Sequence, residues 1–182
     1  MKPHDSLQPS LWVQRFVPLI PPGGTVLDLA CGRGRHARLL AAKGFRVAAV
    51  DRDEEALASL AGVAGITARL ADLEAGVWPY GAGCFDGIVV TNYLFRPLFG
   101  ALIGALKPGG VLIYETFMAG NEAFGKPSNP EFLLQVGELL ELVRPALTVV
   151  AFEQGNIDVP WPACVQRICA MAGEVAALPP PV

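Results

Sequence analysis

The chain reads as an α/β domain built on a mostly parallel sheet, and three observations carry that expectation. Short apolar, β-branched runs alternate with helix-patterned stretches, as in βαβ units, where parallel neighbours need crossover connections and both sheet faces must be covered. The rhythm changes only near the end, where two strand-like runs follow one another without a helix, as in a hairpin that adds an antiparallel strand. The 182 residues, 52% hydrophobic and 17% charged, suit one domain over 1–182 with a large buried core.

Each element has its own signal. Residues 7–20 carry Leu11, Trp12, Phe16 and Leu19 at helical spacing and are stopped by Pro21-Pro22, which predicts a short N-terminal helix near the carboxyl edge of the sheet. Strands are expected at Thr25–Ala30, Arg46–Val50, Ile66–Ala71, Gly87–Thr91 and Val111–Thr116, with helices at Gly34–Lys43, Asp53–Leu60, Pro97–Leu106 and Pro130–Val143. The hairpin arms are Leu147–Phe152 and Cys164–Met171, joined by Glu153–Ala163, which holds two prolines and no helical period. Pro179-Pro180-Pro181 reads as a frayed tail.

Composition also excludes. With 14 Lys plus Arg against 17 Asp plus Glu, the net charge is −3, and no basic block supplies the electrostatic term of nucleic-acid binding. The longest uncharged run, Ala56–Ala68, has 13 residues and two glycines, against about 20 apolar residues for a membrane span. No apolar signal core follows the polar start Met1-Lys2-Pro3-His4-Asp5, so a cytoplasmic location is expected. Cys31, Cys84, Cys164 and Cys169 form no Cys-x-x-Cys pair, and neither a metal site nor a disulfide framework is expected.

The most informative stretch is Val26-Leu27-Asp28-Leu29-Ala30-Cys31-Gly32-Arg33-Gly34-Arg35-His36-Ala37, a buried strand running into a Gly-x-Gly turn and a helix. Gly32 and Gly34 let the backbone turn tightly and approach a ligand, while the helix aims its free N–H groups at the same place. On that reading, a side chain at Gly34 abolishes ligand binding and leaves the fold largely intact. Asp51 ends the second strand, about 20 residues on, where a ribose-binding acid belongs.

Two ligands fit this geometry. Gly32-Arg33-Gly34-Arg35-His36-Ala37 matches the G-x-G-x-x-A dinucleotide fingerprint, which keeps an NAD-dependent oxidoreductase open. Asp28 favours the other: at the end of the first strand it opposes a pyrophosphate but suits the ammonium of an amino-acid cofactor. S-adenosylmethionine has that ammonium, a ribose diol for Asp51 and an adenine. Asp72, after the third strand, can accept from the adenine amino group while Leu73 offers its backbone N–H to a ring nitrogen; alone, Asp72 reads as a turn cap.

In these stretches the chain resembles the class I S-adenosylmethionine-dependent methyltransferases. VLDLACGRGRHA is similar to their first motif, AAVDRD to the second, RLADLE to the third, FDGIVVTNYLFR to the fourth, and LKPGGVLIYETF to the entry into the fifth strand. The resemblance implies a Rossmann-like sandwich: a seven-stranded, mostly parallel sheet in the order 3-2-1-4-5-7-6, strand 7 antiparallel, with helices on both faces. It implies S-adenosylmethionine as cofactor, bound by Asp28, Ala30, Gly32, Gly34, Asp51, Arg52, Asp72, Leu73 and Asn92. Ala30 stands where the family usually has the first glycine of its loop. The small tellurite-resistance-like bacterial branch is nearest.

The fourth strand delivers Asn92, Tyr93 and Arg96 to the carboxyl edge, where ligands of open α/β sheets sit. Tyr93 is expected to pack against sulfonium or acceptor, and Arg96 to hold an anionic acceptor; both are the candidate catalytic residues. The aperiodic stretch Phe117–Pro130 is expected to wall the acceptor pocket. His36, in the first turn of the cofactor-loop helix, reads as packing or a cofactor-side contact. The expected partner is a small-molecule methyl acceptor, with no nucleic acid and no membrane. A non-catalytic S-adenosylmethionine-binding module is the non-enzyme alternative.

Overall fold

The computed structural model describes residues 8–174; the Pro-rich tail and the first residue of the expected N-terminal helix, Leu7, lie outside them. Seven strands form one sheet: β1 (Thr25–Leu29), β2 (Arg46–Asp51), β3 (Ile66–Leu70), β4 (Phe85–Thr91), β5 (Leu106–Phe117), β6 (Thr148–Ile157) and β7 (Ala163–Met171). Their order is β3-β2-β1-β4-β5-β7-β6. The first five pair in parallel, and β7 runs antiparallel to both β5 and β6. This is the expected sheet, and its strand order reverses between β1 and β4.

Two apolar layers follow from strand alternation. Leu27, Leu29, Ile88, Val90, Leu112 and Tyr114 face α4 (Phe99–Ala105) and α5 (Glu138–Val143). Val26, Val89, Val111 and Ile113 face α1 (Leu11–Phe16) and α2 (Arg35–Ala42), meeting Trp12, Val13, Phe16 and Leu40. Asp28 shares the second face by the same alternation, which sets its carboxylate under α2. Ser10 caps α1 by accepting from the Trp12 and Val13 N–H groups. The Pro18-containing 3-10 turn Val17–Leu19 ends that helix short of residue 20.

Two segments differ from expectation. Pro130–Val143 is not one helix: Pro130–Phe132 is a single 3-10 turn, Leu134 bridges to Met118, and α5 starts only after Gly137, whose φ is +74°. The apolar spacing of Leu133 and Leu134 records their burial beside β5. The hairpin arms are longer than expected, because Glu153, Gln154 and Asn156 pair with Arg167, Gln166 and Cys164; polar residues on an edge strand read as a loop. From β3 to β4 the chain crosses without a helix. There Trp78, Tyr80 and Phe85 form a ring ladder at 5.3 and 5.0 Å, and Leu70 stays 54% exposed. No helix among the described residues is long and apolar enough to cross a membrane.

Candidate functional site

Backbone strain marks the switch in strand order. Among the described residues, the non-glycines with positive φ are Ala30 (+52°) and Asn92 (+56°), one after β1 and one after β4. Such conformations persist where the surroundings enforce them, and they cluster at ligand sites. Gly32 (φ +52°) has open space where a Cβ would stand, as a backbone meant to meet a ligand requires. Gly34 (φ +73°) is different, because its Cβ would lie 2.5 Å from Leu60 Cδ2. Leu60 is buried in the α2 layer, so Gly34 serves helix packing. The expectation that Gly34 could be filled without harm to the fold is corrected on that ground.

Of the three acids, Asp51 and Asp72 line a cleft at the carboxyl edge, whereas Asp28 lines neither that cleft nor the two cavities beside it, and its expected contact with the cofactor ammonium is corrected. Asp28 is 1% exposed, and its Oδ2 accepts from the Ala37 N–H at 2.8 Å, tying the strand end to the first turn of α2. Burial pushes its carboxyl up to about 7, against the lowering effects of that hydrogen bond and of Arg35. Asp51 accepts from the Gly32 N–H at 2.7 Å and the Asp53 N–H at 2.9 Å, and so shapes the loop it flanks. Asp72 accepts from the Glu74 and Ala75 N–H groups, which hold its carboxyl below the ordinary value. It is thus a turn cap as well as a cleft acid.

A cleft of about 170 Å³ at the carboxyl edge is lined by Ala30, Asp51, Arg52, Asp72, Leu73 and Tyr93, together with Ala71 and Glu74. Six residues singled out from the sequence therefore meet at one place. Among the described residues the buried Tyr93 hydroxyl has no hydrogen-bond partner, and burial followed by Glu74 pushes its phenol up, so it stays neutral. An orphaned hydroxyl in a cleft is a group that a ligand can satisfy. Arg52, Glu74 and Tyr93 also line a cavity of about 500 Å³ walled by Phe117, Lys126, Pro127, Ser128 and Asn129. Asn92 lines that cavity and a third, of about 450 Å³, which holds Arg35, Glu115 and Arg167.

Arg96 has another job than the one expected of it. Its Nε and Nη2 meet Glu138 Oε1 and Oε2 at 2.5 and 3.0 Å, and it donates further to the carbonyls of Glu131 and Leu133 at 2.8 and 2.9 Å. Four of its guanidinium N–H groups, of five, are thus taken, and it lines none of the three cavities. It fastens the 3-10 turn before α4 to the segment that enters α5. Its assignment as holder of an acceptor anion is corrected.

His36 is buried, and its Nε2 accepts from the Ser10 N–H at 3.0 Å, which leaves the ring proton on Nδ1, 3.4 Å from Thr91 Oγ1. Burial and then Arg35 push it down to about 3. It is therefore a neutral tie between α2 and the cap of α1, and no proton acceptor for a substrate. Burial, with Asp28 and Asp51 adding, pushes the Cys31 thiol up, so the loop cysteine stays protonated. Sequence reasoning passed over Arg35, Glu115 and Arg167. Arg35 and Glu115 lay inside quoted motifs, but which cavity they face depends on α1 and the hairpin.

The cleft fits S-adenosylmethionine better than a dinucleotide: Asp51, Asp72 and Glu74 face it against a single cation, Arg52, and would repel a pyrophosphate. The family model described as "Methyltransferase domain" matches residues 26–110. A Bacillus subtilis (strain 168) protein, YqeM, named as a methyltransferase, is 30% identical over 115 residues, 57% of this chain and 47% of that relative; the chain thus spans about half its relative's length. The crystal structure of TehB from Haemophilus influenzae superposes with a TM-score of 0.73 at 20% identity, covering 87% of this chain and 60% of that one. A Burkholderia thailandensis 1,6-didemethyltoxoflavin-N1-methyltransferase, solved with 1,6-didemethyltoxoflavin and S-adenosylhomocysteine, gives 0.68 at 21% identity, covering 90% and 76%. The chain has the fold of the class I S-adenosylmethionine-dependent methyltransferases, TehB-like ones included, and its residues 26–110 match the methyltransferase domain.

Proposed function

We propose that the protein transfers a methyl group from S-adenosylmethionine to a small-molecule acceptor. The observation that carries this reading is the meeting of Ala30, Asp51, Arg52, Asp72, Leu73 and Tyr93 in one cleft at the switch between β1 and β4. Bound there, S-adenosylmethionine supplies a methyl group on a positively charged sulfur and leaves as the neutral thioether. Asp51 would accept from the ribose hydroxyls and Asp72 from the adenine amino group. Tyr93 offers a neutral hydroxyl and an apolar ring beside them, and Leu73, buried, keeps water from the cleft floor.

Chemistry of this kind asks mainly for alignment, which supplies roughly 7–11 kcal/mol when the reacting atoms are held in line. The tied, neutral His36 agrees with that division of labour, since an acceptor that is already anionic needs no base. Two neighbouring cavities of about 450 and 500 Å³ suit a small molecule, and the net charge of −3 gives no support to a nucleic-acid substrate. Titration of Asp51→Ala with S-adenosylhomocysteine tests the reading. Loss of a hydrogen bond to a charged group predicts affinity weaker by about 1.5–3 kcal/mol with the melting temperature followed in parallel. Unchanged affinity in the folded variant removes Asp51 from the site.

A further inference from the structure

We propose that the cavity of about 450 Å³ beside α1 is the acceptor subsite, and that it takes a small molecule with a flat apolar body and one carboxylate, held by Arg35. The inference rests on the methyltransferase reading above and adds the acceptor's class. The cavity is walled by Trp12, Phe117, Val159, Trp161 and Val165, and three charged side chains enter it: Arg35, Glu115 and Arg167. Two of the three compensate one another. Glu115 Oε2 lies 2.8 Å from Arg167 Nε, and Arg167 Nη1 lies 3.6 Å from Glu153, while the Ser10 hydroxyl also bonds Glu115.

Arg35 is left over. Among the described residues no carboxylate pairs with it within 4 Å, and its guanidinium makes one long bond, 3.4 Å, to the Gln8 carbonyl. It is nevertheless taken out of water enough for burial to lower its pKa, against the weaker pull of Glu115 and Asp28. A partly desolvated cation with no carboxylate beside it among the described residues is a group that an anionic ligand can satisfy. A guanidinium fork matches a carboxylate through two parallel hydrogen bonds. One excess positive charge predicts one negative charge on the occupant, and aromatic and β-branched walls predict a flat apolar remainder.

Position supports the same assignment. Asn92, strained at the end of β4, lines both this cavity and its neighbour, which shares Arg52, Glu74 and Tyr93 with the cofactor cleft. The apolar walls reach β7 and the tip of the hairpin, much further than a cofactor carboxylate alone would need. A carboxylate could also come from the methionine end of the cofactor, and the experiment separates the two sources.

The probes are 4-hydroxybenzoate and indole-3-acetate with their carboxamides, titrated by ligand-observed NMR in the presence and absence of S-adenosylhomocysteine. The proposal expects each carboxylate to bind at least tenfold more tightly than its amide. Arg35→Gln should erase that preference, Arg35→Lys should keep part of it, and Trp161→Ala should weaken acid and amide alike. S-adenosylhomocysteine affinity should stay within twofold in Arg35→Gln. A tenfold loss of that affinity would place the cofactor's own carboxylate on Arg35 and overturn the acceptor subsite. Equal binding of acids and amides by the parent protein would overturn it too. Failure of the parent to bind S-adenosylhomocysteine, with the acid preference intact, would count against the methyltransferase reading and leave the carboxylate site standing.

Discussion

Gly34 and Gly32 sit two residues apart in one loop, both with positive φ, yet the structure predicts opposite consequences for filling them. An alanine at either pays left-handed strain of about 1–2 kcal/mol, offset by about 0.4–1 kcal/mol from a less flexible unfolded chain. At Gly32 nothing stands within 4 Å of the new Cβ, so the net cost is about 0–1.5 kcal/mol. At Gly34 the new methyl would stand 2.5, 2.8 and 3.0 Å from Leu60 Cδ2, Cδ1 and Cγ, and overpacking adds about 1–3 kcal/mol. The total of about 1–4.5 kcal/mol corresponds to a fall in Tm of about 2–4 °C per kcal/mol. Urea denaturation of Gly32→Ala, Gly34→Ala, Leu60→Val and the double variant Gly34→Ala/Leu60→Val measures each term. Leu60→Val withdraws the two nearest methyls, so Gly34→Ala should cost less in that background, with a coupling of about 0.5–3 kcal/mol. Equal destabilisation at the two glycines, or no coupling to Leu60, would refute the division of the loop into a packing glycine and a ligand-facing one.

Further predictions concern the clamp and the buried ionisable pair. Arg96→Ala should destabilise the fold by about 1–2 kcal/mol in denaturation, a charged hydrogen-bond loss discounted for solvent screening, and leave S-adenosylhomocysteine affinity unchanged; weaker ligand binding with unaltered stability would return Arg96 to the site. Asp28, at about 7 in the fold against 3.8 ordinarily, keeps a proton the unfolded chain has lost, so its contribution lowers stability as pH rises from about 4 to about 7. His36, at about 3 against 6.5, stays neutral in the fold while the unfolded ring is protonated, so its contribution lowers stability as pH falls through the window from 6.5 to 3. Where the windows overlap, the slopes, about 1.4 kcal/mol per pH unit each at most, oppose one another. Asp28→Asn, which keeps an acceptor for the Ala37 N–H, should show stability falling toward acid between pH 4.5 and 6.5, and His36→Gln should show it falling toward neutral pH. Profiles identical to the parent's would remove these two groups as the cause.

Much of the fold was legible because its information is local. Short β-branched apolar runs such as Ile88–Val90 read as strands buried on both faces, and the glycines punctuate the turns between elements. Pro130–Val143 misled because Leu133 and Leu134 continue the helical spacing of Leu139 and Leu140 in α5, while their own burial comes from β5 and β7 and the Gly137 break is invisible to periodicity. The cleft was legible in part for the same local reason: Asp51 ends β2 and Asp72 follows β3, so both reach the carboxyl edge, while Asp28, inside β1, is buried under α2 instead. The acceptor side was not. Arg96 looked free until Glu138, 42 residues away, was folded against it. Arg35 looked like an ordinary first-turn residue until α1 and the hairpin enclosed it with Trp161 and Glu115.

Calorimetric titration of the purified protein with S-adenosylhomocysteine, and separately with NAD, tests the central claim most directly. The carboxylates of Asp51, Asp72 and Glu74 around one cleft predict saturable one-to-one binding of S-adenosylhomocysteine and no heat with NAD. Binding of NAD with no response to S-adenosylhomocysteine would contradict the account.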